Sequence, residues 1–508
     1  MTQEQTVPRG PDLTQGVALS DLVDDRLVGH VGDAEVLLVR SDSALLLAIA
    51  ARCTHYHGPL AEGIMTGDTV RCPWHHACFD LRSGEALRPP AFSPVDRWNV
   101  EQRGDRIFVR EKRQQEKRQV SPTSPHAPGR IVIVGGGAAG FAAAEMLRRR
   151  DFRGDVTILS SDAAPPVDRP NLSKDYLAGS VPEDWLPLRP DSFYRDNGIE
   201  LRLATEVVGI DVKAREVTVS GGKKLAYDRL LLATGAEPVR LAIPSADQPN
   251  VYTLRSLADC QAIINAAEKA HRAVVIGASF IGLEVAAALR ARNIEVHVVA
   301  PEERPMERIL GPQMGDFVHA LHEEHGVIFH LRDTVTAIDG RRAKLRSGDT
   351  VEADFVVAGV GVRPRLTLAE QAGLVTDRGV AVDAFLETSV RGIYAAGDIA
   401  RWPDRYSRDR IRVEHWVVAE RQGQTAAENM LGLNVRFDAV PFFWTQHYDI
   451  PINYVGHAEQ WDEIAIDGDI KSRDCLLRYI HNGKVMAVAS IFRDVENLRA
   501  ELAMEQTR

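Results

Sequence analysis

Residues 130–150, RIVIVGGGAAGFAAAEMLRRR, decide the fold of most of this chain. An apolar run leads into a glycine-rich turn and then into an apolar periodic segment, which predicts a buried strand, a tight turn and a helix. In such a G-x-G-x-x-G turn the first glycine permits the bend, the second lets the backbone approach a pyrophosphate, and the third lets helix and strand pack closely. These glycines are Gly135, Gly137 and Gly140.

The same pattern returns 142 residues later, at 273–293, as AVVIGASFIGLEVAAALRARN. Its turn contains Gly277, Ser279 and Gly282. Two copies at so long a spacing indicate a duplicated domain and not a solenoid. The sequence therefore predicts two dinucleotide-binding units in one chain.

Length and composition limit the class of protein. A chain of 508 residues predicts several domains, and its net charge of -10 argues against wholesale nucleic-acid binding. The N-terminal residues lack the pattern of a secretory signal, no segment reads as a membrane span, and five cysteines make no disulfide framework. We therefore expect a cytoplasmic protein.

Changes in sequence pattern suggest where the domains divide. Short β-branched runs separated by Gly, Asp and Ser predict an all-β domain at the N-terminus. A charged stretch rich in Pro and Ser follows and reads as a linker. The predicted divisions are 1–110 for the all-β domain, 111–129 for the linker, 130–247 and 373–434 for the first dinucleotide domain, 248–372 for the second, and 435–508 for a C-terminal interface module.

The all-β segment contains RCTHYHGPL at 52–60 and VRCPWHHACFD at 70–80. Each stretch offers one cysteine and one histidine, Cys53 with His55 and Cys72 with His75. Two thiolates and two imidazoles suit a tetrahedral zinc ion. A Rieske [2Fe-2S] cluster fits better, because it needs two Cys on one iron and two His on the other, one of each from each loop.

The wider stretches CTHYHGPL and CPWHHACFDLRSGE resemble the Rieske ferredoxin signature. On that resemblance His57 and His76 are surplus polar residues of the loops, and Cys78 is a packing residue. The extra disulfide and the hydroxyl donor of high-potential Rieske proteins have no counterpart here. The resemblance therefore implies a potential in the lower part of the Rieske range.

Further motifs carry a second resemblance. ATG at 233–235 and AAGD at 395–398, with the two glycine-rich turns, resemble the two-dinucleotide flavoprotein reductases. DRPNLSK, YTLRSL, VEHW and FFWT resemble the ferredoxin reductases of multicomponent oxygenases. The whole chain resembles the apoptosis-inducing-factor-like reductases with an N-terminal Rieske domain. The implied fold is an α/β, glutathione-reductase-like flavoprotein with FAD and NAD Rossmann-type domains, preceded by an all-β Rieske domain.

This resemblance implies roles for residues of the flavoprotein part. The first turn would hold FAD and the second the pyridine nucleotide. Lys174, ion-paired to Glu284, would lie near the flavin N5, and Trp416 would help wall the ring, so these three are the implied catalytic residues. The implied cofactor-binding residues are Gly135, Gly137, Gly140, Asp162, Arg169, Lys174, Val207, Thr234, Gly235, Arg255, Gly277, Ser279, Gly282, Glu302, Gly361, Gly397, Asp398, Glu414, His415, Trp416 and Trp444.

Two strand ends depart from the family pattern. After the strand that ends in TILSSD, only Asp162 offers an acid for the FAD ribose. In HVVAPEER, Ala300 stands where an acid normally selects NAD, and Glu302 would take over that role. Arg304 could attract the 2'-phosphate of NADPH, so the sequence favours NADH while leaving NADPH open.

The expected route runs from NAD(P)H to FAD, then to the cluster, and then as single electrons to an external acceptor. Residues 131–259 contain no cysteine, which argues against a thiol relay. The alternatives are an NADH oxidase or quinone reductase with a peripheral cluster, and a redox-responsive signalling protein. The sequence does not identify the acceptor, which is either a protein or a small molecule. It also does not determine whether the protein is a monomer or a dimer.

Overall fold

The computed structural model describes residues 9–114 and 128–507. They form two compact units. Unit 1 is the described part of Met1–Ser121 with Arg493–Gln506, and unit 2 is the described part of Pro122–Phe492. Most of the linker predicted at 111–129 lies outside the described residues.

Unit 1 contains two antiparallel sheets, which confirms the predicted all-β domain. Side chains alternate between the two faces of a strand, so Leu37 and Leu38 enter different cores. Leu37 shares its core with Cys53 and Cys72. In sheet order the strands are Val17–Ala18, Arg106–Lys112, Arg97–Arg103, Leu46–Ala50, Ala34–Arg40 and Arg26–Val31 in one sheet, and Ile64–Thr66, Thr69–Arg71, Cys78–Asp80 and Ala86–Arg88 in the other.

The helix Asp494–Gln506, called here the closing helix, belongs to unit 1. The prediction instead grouped it with the rest of 435–508. Leu498, Glu501 and Met504, spaced three residues apart, form one buried face of the helix. Because Glu501 and its neighbour Glu505 pair with arginines of the smaller sheet, the helix packs there.

Unit 2 begins with the predicted strand, turn and helix. The strand Arg130–Val134 enters the turn, and the helix Ala138–Arg149 leaves it. A Cβ at Gly140 would overlap the carbonyl oxygen of Gly135, whose φ is 119°, so this close approach requires glycine at both positions. The strands form a parallel sheet in the order Ile199–Arg202, Asp155–Leu159, Arg130–Val134, Arg229–Leu232 and Ile393–Ala395.

The second glycine-rich turn builds the same arrangement. It joins the strand Arg272–Ile276 to the helix Phe280–Ala291. The parallel sheet has the order Val251–Tyr252, Phe355–Ala358, Arg272–Ile276, Glu295–Ala300 and Val327–Leu331. The predicted duplication of a dinucleotide-binding unit is therefore confirmed.

A five-stranded antiparallel sheet follows in unit 2. Its order is Phe442–His447, Ile450–Gly456, Lys484–Ile491, Asp474–His481 and Glu463–Asp469. Smaller sheets contain Val207–Asp211, Glu216–Val219 and Lys224–Ala226; Ala236–Pro238 and Val362–Pro364; Val335–Asp339, Arg342–Leu345 and Thr350–Glu352; and Val380–Ala381, Ala400–Pro403 and Arg410–Ile411. The other α-helices are Asp175–Ala178, Asp191–Asp196, Leu257–Ala267, Glu307–Glu324, Thr367–Gln371 and Trp416–Met430.

Within the described ranges, no helix has both the length and the apolar character needed to cross a membrane.

Candidate functional site

The two Cys/His loops of unit 1 share one backbone geometry. In each, the residue four positions after the cysteine donates its amide to the cysteine carbonyl: His57 to Cys53 at 3.0 Å and His76 to Cys72 at 3.2 Å. Both histidines have left-handed backbones, with φ values of 59° and 60°. The histidines predicted as surplus therefore turn the chain back at the end of each loop.

The loops bring like donor atoms together. The Nδ1 atoms of His55 and His75 lie 3.2 Å apart. The thiols of Cys53 and Cys72 are hydrogen-bonded to each other, which raises the pKa of Cys53 and lowers that of Cys72. A Cβ at Gly58 would lie 2.6 Å from the Sγ of Cys72, so only glycine leaves room beside this sulfur.

This donor set suits a two-iron cluster. A [2Fe-2S] Rieske centre takes two sulfurs on one iron and two imidazole nitrogens on the other, and the structure presents one pair of each. One tetrahedral zinc ion would instead need all four side chains around a single point, whereas His55 pairs with His75 and Cys53 with Cys72.

The histidine end of this site faces outward. Cys53 and Cys72 are each 1% exposed, whereas His55 and His75 are only half-buried. Tyr56 stacks on His55 with ring centroids 3.8 Å apart, and Trp74 is 38% exposed.

The closing helix supports the second cluster loop. Oε2 of Glu501 lies 2.7 Å from Nδ1 of His76, and both side chains are fully buried. The same carboxylate lies 3.6 Å from Arg71, and Glu505 binds Arg71 at 2.7 Å and Arg88 at 2.5 Å. Sequence reasoning missed this support, because the partners lie 417 to 434 residues apart.

In unit 2 the implied FAD residues gather beside the first glycine-rich turn. Arg255 binds the carboxylate of Asp398 at 2.7 Å. A Cβ at Gly235 would lie 3.2 Å from Arg255 and 4.0 Å from Asp398. Gly397 donates its amide to Oε1 of the buried Gln422 at 2.7 Å, a partner that the motifs did not indicate. The ATG and AAGD motifs therefore lie close together.

Arg169 reaches the same turn from another segment. It binds Asp162 at 2.9 Å, and a Cβ at Gly137 would lie 3.5 Å from its guanidinium. Burial lowers the pKa of Arg169, and the positive charge of Arg255 adds to the effect. Arg169 therefore provides positive charge beside the glycine-rich turn, where a dinucleotide would place its pyrophosphate.

Lys174 and Glu284 form the predicted ion pair at 2.8 Å. The Glu284 carboxylate also accepts from Ser173 at 2.5 Å and from Thr445 at 2.6 Å. The prediction named neither hydroxyl. In the motif FFWT, the resemblance assigns a role only to Trp444. Because side chains alternate along a strand, Thr445 and His447 lie together on the face opposite Trp444.

The aromatic residues implied for the flavin ring lie on two neighbouring elements. His415 and Trp416 stand at the start of the helix Trp416–Met430, which contacts the strand Phe442–His447 containing Trp444. The His415 ring lies 4.5 Å from Phe443, and burial lowers its pKa to about 3. The remaining implied residues lie at turns or strand ends. Val207 begins a strand, and Gly361 has a φ of 99°. The Thr234 hydroxyl donates to the carbonyl of Arg365, and Glu414 pairs with Arg412.

The second glycine-rich turn places Gly277, Ser279 and Gly282 as the first one does, with Ser279 capping the helix Phe280–Ala291. Near the end of the adjacent strand, Glu302 is partly exposed. Arg304, considered as a partner for a 2'-phosphate, binds Asp316 at 2.7 Å and lies 3.2 Å from Glu303 and 3.4 Å from Glu307.

Family comparisons agree with both units. Residues 129–423 match the model for pyridine nucleotide-disulphide oxidoreductases, residues 16–99 match the Rieske [2Fe-2S] domain, and residues 442–507 match the C-terminal domain of reductases. These matches define an FAD-dependent oxidoreductase that uses a pyridine nucleotide and carries a [2Fe-2S] domain.

Similar proteins narrow the class. Apoptosis-inducing factor 3 of Homo sapiens is 34% identical over 483 residues, which cover 92% of this chain and 79% of that protein. Rhodocoxin reductase of Rhodococcus erythropolis is 35% identical over 73% of this chain and 88% of its own length. A putidaredoxin reductase in covalent complex with putidaredoxin superposes with a TM-score of 0.72 at 32% identity, over 75% of this chain and 94% of its own. The chain belongs to the pyridine nucleotide-disulphide oxidoreductases, as a Rieske-containing, apoptosis-inducing-factor-like reductase.

Proposed function

We propose that the enzyme passes electrons from NADH through FAD to its own Rieske cluster, and singly from there to an external acceptor. The proposed cluster ligands are Cys53, His55, Cys72 and His75. The observation that carries the proposal is their arrangement: paired sulfurs inside and paired imidazoles at the surface, in one chain with an NAD(P)H-dependent flavoprotein. A flavin can accept a hydride and release electrons one at a time, which connects the two chemistries.

Unit 2 offers no dithiol to compete with this route. Its cysteine nearest Lys174 in the fold is Cys260, which is fully buried and donates its thiol to the carbonyl of Leu172 at 3.1 Å. Burial raises the pKa of Cys260 to about 12, so it stays protonated. Electrons leaving the flavin therefore need a carrier other than a thiol pair.

We propose NADH as the donor, because Arg304 is already paired with three carboxylates. Their negative charges offset the attraction that Arg304 would have for the 2'-phosphate of NADPH. The acceptor is proposed to be a one-electron carrier, as the putidaredoxin complex of the structural neighbour suggests. We also propose a cytoplasmic location, where thiols stay reduced, since all five cysteines are buried and none forms a disulfide.

An anaerobic stopped-flow experiment tests the route. The protein is mixed with NADH, and flavin and cluster absorbance are followed separately. We expect the cluster to be reduced at the rate of catalytic turnover. Cluster reduction far slower than flavin reduction would instead favour an oxidase, a quinone reductase or a signalling role.

A further inference from the structure

A continuous row of polar side chains crosses unit 2, starting at the Lys174–Glu284 ion pair. Oε1 of Glu284 accepts from Thr445 at 2.6 Å, and Thr445 Oγ1 lies 3.2 Å from Nε2 of His447. The row continues from Nδ1 of His447 to Nε2 of His322 at 3.1 Å, and from Nδ1 of His322 to the hydroxyl of Tyr448 at 3.4 Å.

The row leads from a buried region to a partly exposed one. Glu284 is 5% exposed, Thr445 1%, and His447 and His322 are fully buried. Tyr448, at the far end, is partly exposed, and the ring of the exposed His325 stacks on it at 3.5 Å. Every gap between neighbours is within hydrogen-bonding distance, so the row contains no break that a proton would have to cross through apolar packing.

While Glu284 is ionised, the donors in this row point towards it. The Thr445 hydroxyl donates to Glu284, so its oxygen accepts from Nε2 of His447. Nδ1 of His447 then accepts from Nε2 of His322, and Nδ1 of His322 accepts from Tyr448. When Glu284 carries the proton, rotation of the two hydroxyls and the other tautomer of each imidazole reverse these donors, so the same hydrogen bonds carry a proton outward to Tyr448. Burial lowers the pKa of His447 to about 3 and that of His322 well below its ordinary value, so both rings are neutral. A neutral imidazole takes a proton at one nitrogen and releases it from the other.

The chemistry of the enzyme class supplies a proton to move. Oxidation of NADH yields NAD+, one proton and two electrons. An iron-sulfur cluster, or any carrier of electrons alone, takes these electrons one at a time, so that after two transfers the proton is left in the flavin pocket. That proton must reach solvent once per turnover, or the pocket cannot return to its starting state.

We propose that Thr445, His447, His322 and Tyr448 conduct this proton between the Lys174–Glu284 pair and solvent. Each transfer breaks one O–H or N–H bond and forms another on the neighbouring atom, so the row itself is neither oxidised nor reduced. The inference rests on that part of the proposed function in which electrons leave the flavin without protons. It does not depend on the cluster being the acceptor.

A purely structural role for the same residues predicts a different result. Buried polar networks stabilise a fold, and disrupting them lowers stability without changing when protons appear in solution. Thr445→Val keeps the shape of the side chain and removes the hydroxyl, Thr445→Ser keeps the hydroxyl, and His447→Gln removes the second ring nitrogen. His319→Gln is the matched control, since His319 lies on the same helix as His322 but outside the row.

The full-length protein is reduced with one equivalent of NADH and mixed with ferricyanide, which takes electrons but no protons. Flavin absorbance and a pH-indicator dye are followed together in weakly buffered solution. We expect proton appearance to slow by at least about tenfold in Thr445→Val and His447→Gln, while Thr445→Ser and His319→Gln keep wild-type timing. Thermal unfolding checks that each variant is folded, and His322→Gln replaces any that is not.

Unchanged proton timing in folded Thr445→Val and His447→Gln would overturn the proposal. The same measurement in Cys72→Ser separates this outcome from a failure of the electron route, because ferricyanide can oxidise the flavin directly when the cluster is lost. A wrong assignment of the cluster route would therefore leave the proton result intact.

Discussion

Glu501 in unit 1 and Glu284 in unit 2 are both buried glutamates beside residues assigned to redox chemistry, but their partners differ. Glu501 faces His76 and Arg71, two groups of the cluster-bearing sheet and loop. Glu284 faces one cation and two hydroxyls, and one of these hydroxyls continues into a row of histidines. The first acid joins distant parts of the chain into one domain, whereas the second, in our proposal, stands at the inner end of the proton path.

The largest effect should come from removing a cluster ligand of unit 1. Cys72→Ser deletes one of the two sulfur ligands, and iron and acid-labile sulfide should fall by more than about tenfold. FAD in unit 2 should stay bound. Elemental analysis and the visible spectrum measure both quantities. Cys78→Ala is the control, because burial raises the pKa of this thiol and keeps it protonated; equal iron in the two variants would contradict the assigned ligands.

The closing helix should be needed for the stability of unit 1. Glu501→Ala leaves the buried Arg71 and His76 without this carboxylate, and loss of one partner from a buried ion pair costs about 3 to 5 kcal/mol. Differential scanning calorimetry should show the loss in the transition of unit 1. Glu496→Ala, on the exposed face of the same helix, should change the free energy of unfolding by less than about 0.5 kcal/mol. Similar losses in the two variants would show that the buried contacts do not hold the helix.

Sequence reasoning succeeded where contacts are local. Each cluster loop places its cysteine and histidine within four residues, and the glycine-rich turns define their own strand and helix. It failed where partners are remote and no family resemblance supplied the contact, as for Glu505 and Arg71, which are 434 residues apart; the resemblance did supply the remote pair Lys174–Glu284. The contact of Arg304 with Asp316 lies between the local and the remote cases, because the two residues are only twelve positions apart. They meet because the helix Glu307–Glu324 is kinked, with Pro312 inside it.

Lys174 and Glu284 should contribute jointly to the free energy of unfolding, and a single substitution cannot separate this joint contribution from the effect of each residue alone. Lys174→Met and Glu284→Gln each leave one buried polar partner behind, whereas the double variant removes both charges. A double-mutant cycle of unfolding free energies should therefore give a coupling of about 2 kcal/mol. Additive losses would show that the two side chains act independently. The same cycle on the exposed pair Lys224–Glu216 should give less than about 1 kcal/mol.

The smallest predicted effect concerns Glu420, an acid of unit 2 that is 1% exposed. Burial, with a further contribution from Asp168, raises its pKa well above the ordinary 4.5. A raised carboxyl pKa means that the folded state binds the proton more tightly, so this group costs stability as pH rises above 4.5. Glu420→Gln removes that cost and should raise the free energy of unfolding by about 1 kcal/mol or more at neutral pH.

Thermal unfolding of both proteins between about pH 4 and pH 8 measures this difference, which should shrink towards acidic pH. Glu428→Gln, on the same helix, is the matched control. Glu428 pairs with Arg150 at 2.9 Å, so its replacement should lower stability at neutral pH. A Glu420→Gln variant that loses stability at neutral pH, as the control does, would mean that Glu420 is held charged by a partner. The contrast between acids that bind cations and acids whose pKa is raised by burial would then not extend to this helix.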